Sequence, residues 1–591
     1  MGFDRGAFGF GRIDCLNAVH QFYKSVRRCR LPWILAFAAC QPGWSQVNIL
    51  TANGDNNRTN ANLREIELTP ENVIPGSFGK IGTLPVDGQV YAQPLYASNL
   101  AFPDGSVHNV VFLATMHNSV YAYDADKLSN PKPLWQVNLG PSFPPSLWHA
   151  SYSDISPEVG ILGTGVIDPS THVLYIVAQT LQNGAAVFDL HALDLFTGAE
   201  RMNGPVPVTA EVNGSGAGTI GGNTVTFDPN MHLQRPGLLL ANQVVHVGFG
   251  SHMDDSPWHG WIISYNASDL TKQTGVFMST PNGEGGAFWQ SGRGLAADDN
   301  GNIFSMTGNG DFDGAANFAE SFIKLSSAND KLVDWFTPAN WADLSAVDAD
   351  LSTGTAIIPG THNLVGGDKA GQLYLVNGDA MGNLSPSKSG GPQILSGAVA
   401  GGMFNFALWS RSNVTYLFAQ GEQDVVTAYA VRDGAIQATA VSAGINQVNV
   451  ARVGLTISAD GDKNGILWET TGDSTAGGNP GTLHAFNASN LATELWNSDM
   501  NANDALGTFS KFGNPTVANG RVYVPTFSGS IVVYGSLCSN TNTNQVTHLP
   551  SGSALSTGVP PAGTAQGTGA SGRPVKRCGG AVAPGSTEMP R

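Results

Sequence analysis

A strand with aromatic or β-branched residues at alternate positions, closed by a polar turn, recurs eight times along this chain. Alternation with a period of two is the signature of β structure, because successive side chains leave a strand on opposite faces. The copies are Asn118 to Asp126, Phe188 to Gly198, Gly260 to Asp269, Glu320 to Asp330, Gly371 to Ala380, Val425 to Gly434, Gly481 to Asn490 and Gly529 to Cys538. Another apolar strand precedes each copy, as in VVFLATMHN, VLYIVAQT, QVVHVGFGS and RVYVPTFSG. Several are followed by a strand carrying tryptophan (Trp135, Trp335, Trp496). Tryptophan on an outer strand wedges against a neighbouring unit, so these three read as structural.

The spacing of the copies, roughly 50 to 70 residues, is that of a four-stranded propeller blade with its loops. The eighth copy has no fourth strand after it, while Gly79 to Val86 is a strand with no blade of its own. Joining the two removes an open sheet edge. The expected fold is all-β: an eight-bladed β-propeller of four-stranded blades closed by an N-terminal strand. Seven blades is the alternative if a weaker copy is only a loop.

The ends read differently. Arg27, Arg28 and Arg30 precede an apolar run from Leu31 to Cys40 and then Gly43-Trp44-Ser45-Gln46, the order of an export signal cut near Ser45. That run is too short to span a bilayer. Residues 1–45 are therefore expected to be a targeting region, 46–538 the propeller and 539–591 a disordered tail rich in Ser, Thr, Gly and Pro. The expected location is secreted or periplasmic. No cysteine lies between residues 41 and 537, so the body has no disulfide framework and no thiolate metal site. Cys538 and Cys578 either pair or stand as independent thiols.

A formal net charge of −16 without Lys/Arg clusters beyond Arg30 excludes nucleic acid as a partner. No nucleophile elbow, zinc-protease motif or P-loop is present. Asp460-Gly461-Asp462-Lys463-Asn464-Gly465 imitates the start of a calcium loop, but Thr471 stands where the loop's glutamate belongs, so a hairpin turn is expected. The loop His252 to His259 gathers two imidazoles with Asp254 and Asp255, either as metal ligands or as a solvated polar loop.

The most informative stretch is Gly301 to Asp350, where one strand pattern also gathers an amide, Asn309, and two carboxylates, Asp348 and Asp350. Thr307-Gly308-Asn309 resembles the G-T-G-N turn of the quinoprotein alcohol dehydrogenase-like propellers, and Val347-Asp348-Ala349-Asp350 resembles their W-D-Y-D stretch. Asp368-Lys369-Ala370-Gly371 resembles their D-R/K-N-G, and the segment Asn48 to Val73 looks like their opening segment. The resemblance covers about residues 47 to 537. It implies a site for pyrroloquinoline quinone (PQQ) and Ca²⁺, with Asp255, Asn309 and Asp348 at the metal. Asp348 would be the catalytic base, Lys369 would contact the quinone oxygens, and Trp289 would lie beneath the quinone. The chemistry is coherent: a metal polarises the quinone carbonyl, a carboxylate takes the alcohol proton, and a cation stabilises the reduced cofactor's oxyanion.

Three family features are missing. The adjacent cysteine pair is absent, Tyr91 and Ala92 stand where a glutamate is expected, and the tryptophan floor falls near Ser291 or Gly292. Trp289, two residues away along an expected strand, would keep the same face. Two functions are therefore expected. One is an exported oxidoreductase acting on a small alcohol or sugar; the other is a non-catalytic propeller that recognises carbohydrate or protein outside the cytoplasm.

Overall fold

A blade packed between two others buries both faces of its middle strands, and this explains the pattern in the sequence. In the computed structural model the third strand of blade 1, Ser119–Asp124, is buried at every position. Its large side chains, Tyr121 and Tyr123, join Leu84, Ile531 and Val533 in the core shared with blade 8. Its small ones, Val120 and Ala122, join Leu174 and Ile176 in the core shared with blade 2. Alternation here sorts side chains between two cores rather than between core and solvent.

The structure describes residues 47–149, 152–384, 391–449, 452–473 and 478–537. The targeting region, the tail and all five cysteines lie outside them. Eight sheets form the eight blades, each built mainly from consecutive antiparallel strands. Blade 1 runs Leu95–Ala101, Val107–Ala114, Ser119–Asp124 and Pro133–Asn138. Blades 2 to 8 begin at Val166–Asp168, Leu239–Ala241, Ala296–Ala297, Ala356–Ile357, Met403–Arg411, Gly454–Asp460 and Thr516–Ala518. These first strands touch their counterparts in neighbouring blades, which makes them the strands nearest the axis. Every one enters its blade in the same sense, so the segments leading into them gather at one end of the axis.

The closing strand is the expected one. Phe78–Pro85 pairs antiparallel with Ser530–Ser536 as the fourth strand of blade 8, with a bulge at Lys80/Gly82. Phe78 packs on Trp496 at 5.0 Å edge-to-face and on Trp468 at 5.4 Å, carrying the closure into the core between blades 7 and 8. The outer-strand tryptophans are wedges, as expected: Trp135 Nε1 of blade 1 donates to Leu195 O of blade 2 at 2.8 Å. Asp460 and Lys463 face each other across a hairpin turn. The segment before Asp348 contains a short helix, Trp341–Ala346, and one local expectation is corrected. Trp289 is not on a strand but caps a one-turn 3₁₀ helix, Gln290–Gly292, because Gln290 and Ser291 hold φ of 53° and 44°.

The axis is filled by the segment that precedes the closing strand. Running from Ile49 to Asn62, it bonds to the inner strand of each blade in turn, through its backbone or, at blades 3 and 8, through an asparagine side chain. Ile49 pairs with Tyr96 of blade 1, and Leu50 O accepts from Ile167 N of blade 2. Asn56 O accepts from Ala297 N of blade 4, Asn57 O from Ile357 N, Thr59 O from Leu408 N and Asn60 O from Ile457 N. Asn56 Nδ2 reaches Leu240 O of blade 3 at 3.1 Å, and Asn62 Nδ2 reaches Val517 O of blade 8 at 2.9 Å. Two buried arginines complete this strap. Arg58 donates to Leu295 O, Thr51 Oγ1, Ala52 O and Leu238 O at 2.7, 2.7, 2.7 and 3.2 Å. Arg293 donates to Phe406 O at 2.7 Å and to Arg58 O, with its guanidinium 4.0 Å above the Phe406 ring. Burial pulls their pKa values down to about 10 and about 9. Among the described residues no helix is long and apolar enough to cross a membrane.

Candidate functional site

At the end of the axis where the lead-in segments gather, blades 4 and 5 bring together much of the stretch singled out in the sequence. The turn Thr307–Gly310 is held by Gly308 N to Ala287 O at 2.9 Å, Gly286 N to Asn309 O at 2.7 Å and Gly310 N to Ser345 Oγ at 3.0 Å. Only glycine fits at 308. A β-carbon there would come within 2.5 Å of the Trp289 indole nitrogen and 2.6 Å of Asp350 Oδ2. Trp289, Asn309 and Asp350 therefore surround one point. Trp289 Nε1, Asn309 Oδ1 and both Asp350 oxygens are buried without a hydrogen-bond partner in the protein. Orphaned buried polar atoms are costly, and here four converge.

Lys369, at the lead-in to the third strand of blade 5, supplies the charge. Its Nζ lies 2.6 Å from Asp348 Oδ1 and 2.6 Å from Asp350 Oδ1, and only the first contact is aligned as a hydrogen bond. Asp348 is 61% exposed, whereas Asp350 is fully buried. Burial pushes Asp350 up to about 7, against the pull of Lys369. Burial would lower Lys369, but Asp350 and Asp348 more than offset it and hold the ammonium above its usual range.

Behind Asp350 sits a carboxyl that the sequence did not single out. Glu320 is fully buried, accepts from Leu351 N at 3.0 Å, and is raised well above its usual range by burial and then by the charge of Asp350. The readable signal was an acidic residue leading directly into a buried strand. Asp368 is also buried and raised by desolvation, and it accepts from Tyr374 Oη at 2.6 Å and Gln372 Nε2 at 2.8 Å. Ser291, Glu320 and Asp348 all hold left-handed backbone, with φ of 44°, 49° and 55°. Strain of that kind, grouped in one place, marks sites whose geometry is fixed for use.

The His252–His259 loop lies between two strands of blade 3, and its members part company. Asp254 comes against the Asn309 side chain, and its carboxyl is raised, first by desolvation despite its exposed position and then by the charge of Asp348. Asp255 is exposed and makes no described contact with Asn309, Asp348 or Lys369. His259 is satisfied by Thr280 Oγ1 and Ala217 O, both at 2.9 Å. His252 stacks on Trp148 at 4.7 Å, and burial lowers it to about 3. The loop's imidazoles thus pack in the body, while one of its carboxylates faces the site.

The same mouth carries cations. Arg235 lies 5.5 Å over Trp289 and 5.3 Å over Phe512, and Arg452 lies 3.8 Å over Phe404. Lys511 bonds to Asp154. These come from the lead-ins of blades 3, 7 and 8, too far apart in sequence to have been grouped.

No protein-family model matches the chain, and no curated protein sequence matches it. Solved structures do. A quinohemoprotein alcohol dehydrogenase from Comamonas testosteroni aligns over 83% of this chain and 80% of its own, at 14% identity and a TM-score of 0.53. A second quinohemoprotein alcohol dehydrogenase, from Pseudomonas putida HK5, aligns over the same shares at 13% and 0.52. A europium-containing methanol dehydrogenase aligns over 83% of this chain and 98% of its own, at 12% and 0.54. At such identities the likeness is one of fold, that of the eight-bladed β-propeller.

Proposed function

We propose that the axial mouth is the site of a PQQ- and Ca²⁺-dependent oxidoreductase that acts outside the cytoplasm on a small alcohol or sugar. The observation that carries this reading is the buried Asp350, raised to about 7, beside Lys369 and against Trp289 at the glycine-only position 308. The residues fit the two groups. The half-buried indole of Trp289 offers a flat face to a quinone. Asn309 Oδ1 is an unpartnered oxygen suited to a hard cation, with Asp254 beside Asn309, and Asp350 adds a carboxylate that Lys369 meets on one oxygen.

PQQ, when bound, supplies the hydride acceptor. The chain's own residues manage the proton and the charge. A base is most effective when its pKa lies near the working pH, and Asp350 meets that condition by burial. Lys369 keeps its charge and positions both aspartates. Asp348, which the sequence pattern marks as the base, is exposed and holds Lys369 from the solvent side; we assign it the positioning role and give Asp350 the proton. Behind Asp350, burial and the charge of Asp350 hold the Glu320 carboxyl well above its usual range, which disfavours a second negative charge in the same pocket.

The test is alcohol-dependent dye reduction with PQQ and Ca²⁺. Asp350→Asn should lower the rate by about 10²–10⁴-fold, the usual worth of a positioned base. Asp348→Asn should lower it by much less. Equal losses would return the base to Asp348.

One observation favours a second reading. Among the described residues no three His, Cys, Asp or Glu side chains are placed together to hold a metal, and Lys369 already neutralises the two aspartates. On that reading the mouth recognises a glycan or a protein, and neither PQQ nor Ca²⁺ alters the protein.

A further inference from the structure

Beside Trp289 the mouth also gathers cations. Arg235, Arg452 and Lys511 carry three positive charges around the rings of Phe404 and Phe512. Lys511 is spoken for by Asp154. Arg452 has only Glu422, at 3.9 Å. Arg235 makes no hydrogen bond or ion pair with any described residue; it is held by the faces of Trp289 and Phe512 alone. Three cations thus share two carboxylates, Asp154 and Glu422, and Arg235 is the one that forms no ion pair, although Asp154 lies within its electrostatic reach. Stacked arginine keeps its in-plane N–H fork free, and that fork matches a carboxylate.

A second observation points the same way. The Tyr152 hydroxyl is buried and has no hydrogen-bond partner, although the residue is only 7% exposed. It lies within the electrostatic reach of Arg235 and Asp154. Crowding acts on the cations too: burial first, offset by Asp154, and then Arg235 and Arg452 bring Lys511 down to about 8. A negative group placed here would relieve the repulsion and give Arg235 and Tyr152 their missing partner.

We propose that this side of the mouth is an anion subsite, in which Arg235, Arg452 and the Tyr152 hydroxyl hold the carboxylate of a small organic acid against the faces of Trp289 and Phe512. The subsite rests on its own residues. Only the identity of its occupant rests on the oxidoreductase reading, since the carboxylate can arrive on the substrate or on the quinone, itself a polycarboxylate.

Benzoate is the probe, titrated calorimetrically into the full-length protein with no quinone or metal added. Wild type should bind it, and raising the salt concentration should weaken binding. Arg235→Gln should raise the dissociation constant about tenfold or more, as expected for a lost charge-assisted fork, with an unchanged melting temperature. Arg452→Gln, an independent variant, should raise it less. Repeating the titration with saturating PQQ separates the sources: retained benzoate binding gives the subsite to the substrate, and lost binding gives it to the quinone's acid groups. Absence of benzoate binding, or binding that both variants leave unchanged, overturns the subsite. A protein that binds benzoate but not PQQ would keep the subsite and lose the quinone reading.

Discussion

The strap and the mouth lie a few residues apart on the same chain, and they treat buried polar groups in opposite ways. In the strap, Arg58 is as deeply buried as a charge can be, yet all three of its nitrogens donate, to acceptors at 2.7 to 3.2 Å. In the mouth, Asp350 is equally buried, makes no aligned hydrogen bond, and is met only by the Lys369 ammonium 2.6 Å from one oxygen. Arg293, whose two terminal nitrogens donate while its Nε has no partner, borders the first region and Trp289 belongs to the second, with the left-handed turn at Gln290 and Ser291 between them. A buried polar group that is satisfied holds the fold; one left unsatisfied costs stability and waits for a ligand. Stability should therefore live in the strap, and ligand response in the mouth.

The severest way to test that division is to remove the strap and the closing strand together. Deleting residues 47–88 opens blade 8 and empties the axis, so the product should aggregate or lose its cooperative melting transition. A soluble deletion protein with an unaltered transition would end the account of closure. Next in size, Arg58→Met or Arg293→Met strands several buried carbonyls and should cost about 3–5 kcal/mol by denaturant unfolding. A loss below about 0.5 kcal/mol would erase the contrast with the mouth.

Asp350→Asn should act in the other direction, and through pH. The carboxyl titrates at 3.8 in the unfolded chain and at about 7 in the folded one. The folded state therefore binds the proton more tightly, so this group favours folding at acid pH, and the benefit is lost as pH rises through about 7. Asparagine is neutral throughout, so the variant should lose less melting temperature than wild type between about pH 5 and about pH 8. An identical pH profile for the two proteins would mean that Asp350 is not raised. The smallest stability effect is expected at Asn309→Ala, within about 0.5 kcal/mol without ligand, while the concentration of Ca²⁺ needed for any quinone response should rise.

The same contrast explains what could be read from the sequence. Blades were legible because both faces of each third strand are buried, as Tyr121 and Val120 show, so the alternation survives in every copy. The closing strand followed from a count of unpaired edges. The strap was not legible, because Thr51 to Asn62 reads as a polar loop whose role is carried by backbone hydrogen bonds. In the site, Asn309, Asp348, Lys369 and Trp289 were marked by local patterns and do come together. Asp254, rather than Asp255, faces Asn309, because counting along a loop does not fix which of two neighbours turns inward. Glu320, Asp350's burial and the Arg235–Arg452–Lys511 group depend on contacts between blades, which no single stretch of sequence displays.

The central claim is that the mouth is built for a quinone and a metal, and one thermal titration addresses it. A ligand that binds only the folded state adds about 2.7 kcal/mol at a hundredfold excess over its dissociation constant. PQQ with Ca²⁺ should therefore raise the melting temperature of the wild-type protein by several degrees, with neither alone reaching the full effect. No shift with both present at saturating concentrations would contradict the claim and leave the propeller a binding protein.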